Sequence, residues 1–280
     1  MIISKTIDSL NSAVRQWQSG GLSVGFVATM GHLHSGHVSL VKSAQLRCDK
    51  VVVSIFVNPL QFNEASDYTS YPETLSEDEE KLKAVKTDLL FLPDRQLMYP
   101  QGEQLATKVV VPGKCDELEG AYRPGHFEGV ATVVNKLLNM VQPQVAFFGE
   151  KDFQQLMLVR KMVADLNMCV EIESVATQRE ADGLAMSSRN SRLTVEQRSR
   201  AADLYKILQQ VKRQVKGQQG ISDIENQAME QLRARGFDAE YVSIRHCSDF
   251  EPATDKGEKW LVLAAAKLGD VRLIDNLELD

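Results

Sequence analysis

Apolar residues gather in four short runs along the first half of the chain: LSVGFVAT (22–29), KVVVSIFV (50–57), TDLLFLP (87–93) and QVAFFG (144–149), with helix-like segments between them. Runs of this length predict strands, and their alternation with helices predicts βαβ units. Each run is almost continuously apolar, as in a strand of a parallel sheet covered by helices on both faces. An α/β fold follows, with a doubly wound, Rossmann-like parallel sheet. The segment HFEGVATVVNKLLNMV (126–141) is apolar at helical spacing and is assigned to the core beside that sheet. SEDEEKLKAV (76–85) instead carries acids in its first turn and lysines later, with Glu79 and Lys83 four apart, and reads as a helix with a solvated face.

The pattern changes after about residue 175, where the polar amphipathic stretches TVEQRSRAADLYKILQQVKRQV and SDIENQAMEQLRARG precede the strand-like AEYVSIRHCSDF, KWLVLAAAKLG and VRLIDNLEL. These predict a second, smaller α+β domain over 177–280, following a Rossmann-like domain over 1–176. No repeat or low-complexity tract interrupts either part.

At 280 residues and 43% hydrophobic content the chain can bury a sizeable core. Its formal net charge of -6 argues against broad binding to nucleic acid or to anionic membrane, so any anion must meet specific residues. Cys48, Cys115, Cys169 and Cys247 are widely spaced, with no CxxC pair, and read as reduced thiols. The longest apolar run is far too short to span a bilayer, and the first residues lack the apolar core of a secretion signal. A cytoplasmic protein is expected.

Candidate chemistry begins after the first strand, where ATMGHLHSGHVSL (28–40) places His32, His34 and His37 within six positions. If Gly31 to Gly36 form a turn and a helix starts near Gly36, free backbone N–H groups and the helix dipole would favour an anion above the strand end. A zinc site is the weaker reading, because no third ligand or general-base Glu accompanies the pair as in HExxH. A plain polar loop is the third. The chain has no GxxxxGK[ST] and no GxGxxG. Two more clusters nevertheless suit phosphate: Gly149, Glu150, Lys151 and Asp152 in FFGEKDFQQL, and Ser187, Ser188 and Arg189 in DGLAMSSRNSRL.

HxGH followed much later by MSSR resembles the HIGH and KMSKS pair of the nucleotidyltransferase superfamily. Within it, ATMGHLHSGH, SIFVNPLQF, YRPGHFEGVATVV, FFGEKDFQQL and READGLAMSSRN, in that order, resemble the pantoate–β-alanine ligase family. The resemblance implies an ATP-dependent ligase that joins pantoate to β-alanine through a pantoyl adenylate. It implies that Met30, Gly31, His32, Leu33, His34, Ser35, Gly36 and His37 embrace ATP, with His34 and His37 at the phosphates and His37 a proton donor. His32 departs from the family pattern and is expected to be incidental. By the same resemblance Gly149 and Asp152 contact the ribose, with Glu150 beside them, and Lys151 meets the phosphates. Met186, Ser187, Ser188 and Arg189 form the phosphate-closing loop, and Gln178 contacts the nucleotide through its backbone. Gln61 and Gln155 hold pantoate, with Arg123 and His126 near that pocket. Mg2+ is expected to ride on the ATP phosphates with no protein ligand named, and relatives imply a homodimer. The alternatives are another nucleotidyltransferase, making a dinucleotide or CDP-alcohol, and a non-catalytic nucleotide-binding module.

Overall fold

The computed structural model describes residues 1–113, 115–217, 219–254 and 259–279, without side chains for residues 65 and 66. The chain divides into two compact units, Met1–Ala176 and Thr177–Asp280. The first unit runs β1 (Ile2–Ser4), α1 (Ile7–Ser19), β2 (Val24–Thr29), α2 (Ser35–Arg47), β3 (Lys50–Ile55), a 3-10 turn at Pro59–Gln61, and α3 (Ala65–Thr69). It continues with α4 (Leu75–Ala84), β4 (Leu89–Phe91), α5 (Arg95–Met98), α6 (Glu119–Tyr122), α7 (His126–Val141), β5 (Val145–Gly149), α8 (Phe153–Asp165) and β6 (Glu171–Val175). All six strands pair in parallel, in the order β1-β4-β3-β2-β5-β6.

Side-chain alternation along these strands separates two apolar layers. Phe26, Val52, Leu89, Phe91, Ala146 and Phe148 pack on one face with Leu10 and Val14 of α1 and the buried stripes of α7 and α8. Val27, Val51, Val53, Leu90, Val145 and Phe147 pack on the other with Leu40, Val41 and Ala44 of α2 and Leu82 of α4. Because both faces are covered, the strands read as unbroken apolar runs. The doubly wound parallel sheet expected from the sequence is what forms.

Strand order reverses beside β2: the chain moves from β2 to β3 and β4 on one side, and later to β5 and β6 on the other. Parallel strands put the loops after β2 and β5 at the same carboxyl edge, flanking the crevice where open α/β sheets bind ligands. The histidine motif and the lysine motif occupy those two loops.

The second unit carries α9 (Val195–Ala201), α10 (Asp203–Gln214) and α11 (Ile221–Ala234), followed by β7 (Asp238–His246), β8 (Trp260–Leu268) and β9 (Val271–Leu279). These strands form an antiparallel sheet in the order β7-β8-β9. Its apolar layer of Val242, Ile244, Val262, Ala264, Ala266 and Leu273 packs with Leu204, Ile207, Leu208 and Val211 of α10 and Ile224 and Leu232 of α11.

Candidate active site

The loop after β2 turns sharply because Gly31 (φ 84°) and His32 (φ 50°) both adopt left-handed backbone. That conformation points consecutive amides the same way. The N–H groups of His32 and Leu33 donate to Oδ2 and Oδ1 of Asp78 at 2.8 and 2.7 Å. On the next turn of α4, Lys81 Nζ donates to the Leu33 carbonyl at 2.9 Å. The helix keeps the solvated face read from its sequence, with Lys83 Nζ 2.9 Å from Glu79 Oε2, but Asp78 is buried, at 1% exposure. It lies one turn before the buried Leu82, so it belongs to the inward stripe.

α2 begins in the same loop with an unusual cap made of two imidazoles. His34 is the N-cap and its Nδ1 accepts from the Gly36 N–H at 3.1 Å, while His37 Nδ1 accepts from the His34 N–H at 3.2 Å. The His37 N–H also stays local, donating to the His34 carbonyl at 2.9 Å. The expectation of free backbone donors is therefore not met at His34, Gly36 and His37: the loop uses those N–H groups itself. An Nδ1 that accepts carries no proton, so both neutral rings hold their proton at Nε2. The rings lie 4.0 Å apart between centroids. Burial, then the nearby Lys151 cation, lowers the pKa of His34 to about 4. Burial and then His34 hold His37 well below its ordinary value. In the free protein both rings are therefore neutral Nε2–H donors near neutral pH. Met30 is half-buried just ahead of the turn, Ser35 is exposed at the first position of α2, and the His32 ring lies 3.3 Å from Thr74 Oγ1.

At the end of β5, Gly149 leads into a single 3-10 turn, Glu150–Asp152, that opens α8. Lys151 Nζ lies 3.8 Å from Asp152 Oδ1, and its charge is felt by both capping histidines. Asp152 occupies the N-cap position of α8 yet makes no side-chain capping bond. Gln154 is buried and ties down the preceding loop: it accepts from the Glu119 N–H at 3.1 Å and donates to the Glu117 carbonyl at 2.9 Å. Gln155 is half-buried beside it.

The turn after β3 presents Gln61, buried at 9% exposure. Its amide is oriented at both ends: Nε2 donates to Met30 Sδ at 3.0 Å and Oε1 accepts from Asn58 Nδ2 at 3.1 Å. Asn58 is fixed in turn by the Tyr99 hydroxyl, which donates to its Oδ1 at 2.6 Å. Arg123 and His126 reach the same turn. Arg123 Nη1 donates to His126 Nε2 at 3.0 Å, and His126 Nδ1 donates to the Gln61 carbonyl at 2.8 Å. Both ring nitrogens of His126 are thus engaged, and the ring braces the Gln61 turn beside which the sequence placed it. Burial first and then the Arg123 charge lower its pKa to about 4. Neither Asn58 nor Tyr99 was singled out in the sequence, because an Asn before Pro reads as turn chemistry and a Tyr as core.

In the second unit, residues 178–186 fold back on themselves: the Met186 N–H donates to the Gln178 carbonyl at 2.9 Å, and Arg179 bridges Ala185. Arg179 anchors this turn through paired bonds to the buried carboxylate of Asp275, at 2.6 and 2.9 Å. Ser187 then caps a 3-10 turn, Ser188–Arg192, by accepting from the Arg189 N–H at 3.2 Å. Ser188 is buried, while Met186, Ser187 and Arg189 are half-buried and Gln178 is exposed.

A sequence model described as pantoate-beta-alanine ligase matches residues 2–278. The chain belongs to the pantoate–β-alanine ligase family. It is 48% identical over 280 residues to pantothenate synthetase of Shewanella loihica, covering 100% of this chain and 99% of that one. It is 50% identical over 264 residues to that of Idiomarina loihiensis, covering 94% of each. Among solved structures, pantothenate synthetase of Thermus thermophilus superposes with a TM-score of 0.93 at 43% identity, over 100% of this chain and 99% of that one. The pantoate-beta-alanine ligase of Francisella tularensis, solved with beta-gamma ATP and beta-alanine, gives 0.85 at 35% identity, over 99% and 97%. The family and fold class expected from the sequence are both met, and a pantoate–β-alanine ligase belongs to pantothenate biosynthesis. Among the described residues no helix is long and apolar enough to cross a membrane, and no group of three His, Cys, Asp or Glu side chains could hold a metal ion.

Proposed function

We propose that this member of the pantoate–β-alanine ligase family condenses pantoate with β-alanine in two steps, using ATP to form pantoyl adenylate and pyrophosphate, then releasing AMP as the amine attacks. The observation that carries the reading is the pair of neutral imidazoles held as Nε2–H donors beside Lys151 at the sheet's switch point. As pyrophosphate leaves, charge grows on the bridging and leaving oxygens. Fixed donors aimed there stabilise the transition state more than the ground state. His34 and His37 act as hydrogen-bond donors to that charge, and Lys151 supplies the nearest cation. Met30–His37, Gly149, Glu150 and Asp152 line the nucleotide, with the ribose hydroxyls taken by the Asp152 carboxylate, which makes no capping bond to its own helix.

Gln61, with its amide fixed by Met30 and Asn58, and Gln155 hold the pantoate hydroxyls and carboxylate. A neutral amide orients the carboxylate without quenching it as a nucleophile, which an Arg clamp would do. Gln178, Met186, Ser187, Ser188 and Arg189 are assigned to the nucleotide on the family resemblance. Mg2+ fits as a companion of the phosphates, because Asp78 commits both oxygens to backbone amides. When bound it neutralises phosphate charge. The same reading makes the enzyme a cytoplasmic homodimer. A product assay with ATP, pantoate and β-alanine tests it: pantothenate, AMP and pyrophosphate should form in equal amounts, and omission of pantoate should stop AMP release.

A further inference from the structure

We propose that Asp78 is a positioning residue for this reaction: its carboxylate clamps the His32 and Leu33 amides and so sets the loop that presents His34 and His37. The inference rests on the function proposed above for those histidines. Three observations converge on it. First, each carboxylate oxygen takes one of two consecutive amides, at 2.8 and 2.7 Å, a pairing available only while Gly31 and His32 stay left-handed. Non-glycine residues avoid that conformation, so His32 must be held in it. Second, Lys81 takes the carbonyl of the same Leu33, which fixes the Leu33 residue from both its N–H and its C=O directly ahead of His34. Third, the space is closed. A side chain at Gly31 would stand 3.2 Å from Asp78 Oδ2 and 3.1 Å from Ile55, and Leu33 is itself buried.

The consequence runs downstream. The His34 N–H reaches His37 Nδ1 only if the Leu33–His34 peptide is oriented as it is. That bond makes Nδ1 of His37 an acceptor and leaves the proton on Nε2. Without the clamp the peptide can rotate, the double cap opens, and the ring proton can move to Nδ1. A lone pair would then face the phosphates where a donor is needed. Asp78 does this without touching substrate, since both its oxygens are committed to the loop.

The test uses the full chain with 15N-labelled histidine, comparing wild type, Asp78→Asn, Asp78→Ala and Lys81→Met. Leu10→Ala, a core cavity beneath the opposite face of the sheet, is the control for lost stability. Imidazole 15N shifts report the tautomer, and pantoate-dependent exchange of labelled pyrophosphate into ATP reports the chemistry. The expected result is that Asp78→Asn lowers the exchange rate at saturating ATP about tenfold or more and shifts His37 away from the Nε2–H form. Leu10→Ala should keep exchange within about twofold at an equal or larger loss of Tm. Should Asp78→Ala fail to fold, Asp78→Asn and Lys81→Met carry the comparison. Exchange within about twofold of wild type in a folded Asp78 variant overturns the proposal, as does lost exchange with both rings still protonated at Nε2. A wild-type chain with no pantoate-dependent exchange would overturn the proposed function instead, while the spectra, which need no substrate, would still decide the clamp.

Discussion

His126 shows how a single ring can tie acid sensitivity to the placement of the Gln61 turn. Its Nε2 accepts from Arg123 and its Nδ1 donates to the Gln61 carbonyl, so protonation would set a cation against a guanidinium. Its pKa is about 4 in the folded chain and ordinary, near 6.5, once unfolded. The unfolded state therefore binds more protons between those values. This contribution to stability is complete above about pH 6.5 and is lost as pH falls toward 4, at about 1.4 kcal/mol per pH unit. His34, lowered in the same direction, adds to the loss. Urea unfolding at pH 7.5 and 5 should show wild type weakening, and His126→Gln should flatten that dependence. Kinetically, Gln61→Ala should cost about 1–3 kcal/mol in kcat/KM for pantoate while ATP binding stays near wild type. An equal loss for ATP would contradict the assignment. The histidines and glutamines were legible in the sequence because they stand in compact motifs. Asp78 was not: it sits among other acids in SEDEEKLKAV, and only its spacing from Leu82 marks it as inward-facing.

Elements explain why these side chains stay put. α7 approaches the Gln61 turn so closely that a Cβ at Gly129 would meet the Leu60 carbonyl oxygen at 2.3 Å and the Gln61 nitrogen at 2.7 Å. Asn58 seals the contact by donating to the Gly129 carbonyl at 3.1 Å. Gly129→Ala should therefore destabilise the first unit by about 1–3 kcal/mol through overpacking and raise the KM for pantoate. Denaturant midpoints and substrate titrations check both, and an unchanged KM would detach α7 from the pantoate pocket. The interior strands β2, β3, β4 and β5 were readable because burial on both faces leaves unbroken apolar runs. The edge strands were not. β1 is three residues long with two of them exposed, and β6 reads EIESV, an alternation expected where one face meets solvent.

For the molecule as a whole, the net charge of -6 sharpens the role of local cations. On the function proposed above, a triphosphate approaching an acidic protein is drawn where Lys151 and the imidazole donors outweigh the average field. Changing Lys151 to Met should thus raise the KM for ATP and leave it less sensitive to ionic strength than in wild type, a comparison made at low and high salt. The account's central claim is that pantoate attacks the α-phosphorus of ATP in this site. The most direct measurement supplies pantoate labelled with oxygen-18 in its carboxyl group, with ATP and β-alanine. The account predicts one labelled oxygen in AMP and none in pyrophosphate, because the carboxylate oxygen that attacks phosphorus stays with it when the amine arrives. ADP and labelled phosphate as products, or AMP free of label, would contradict it.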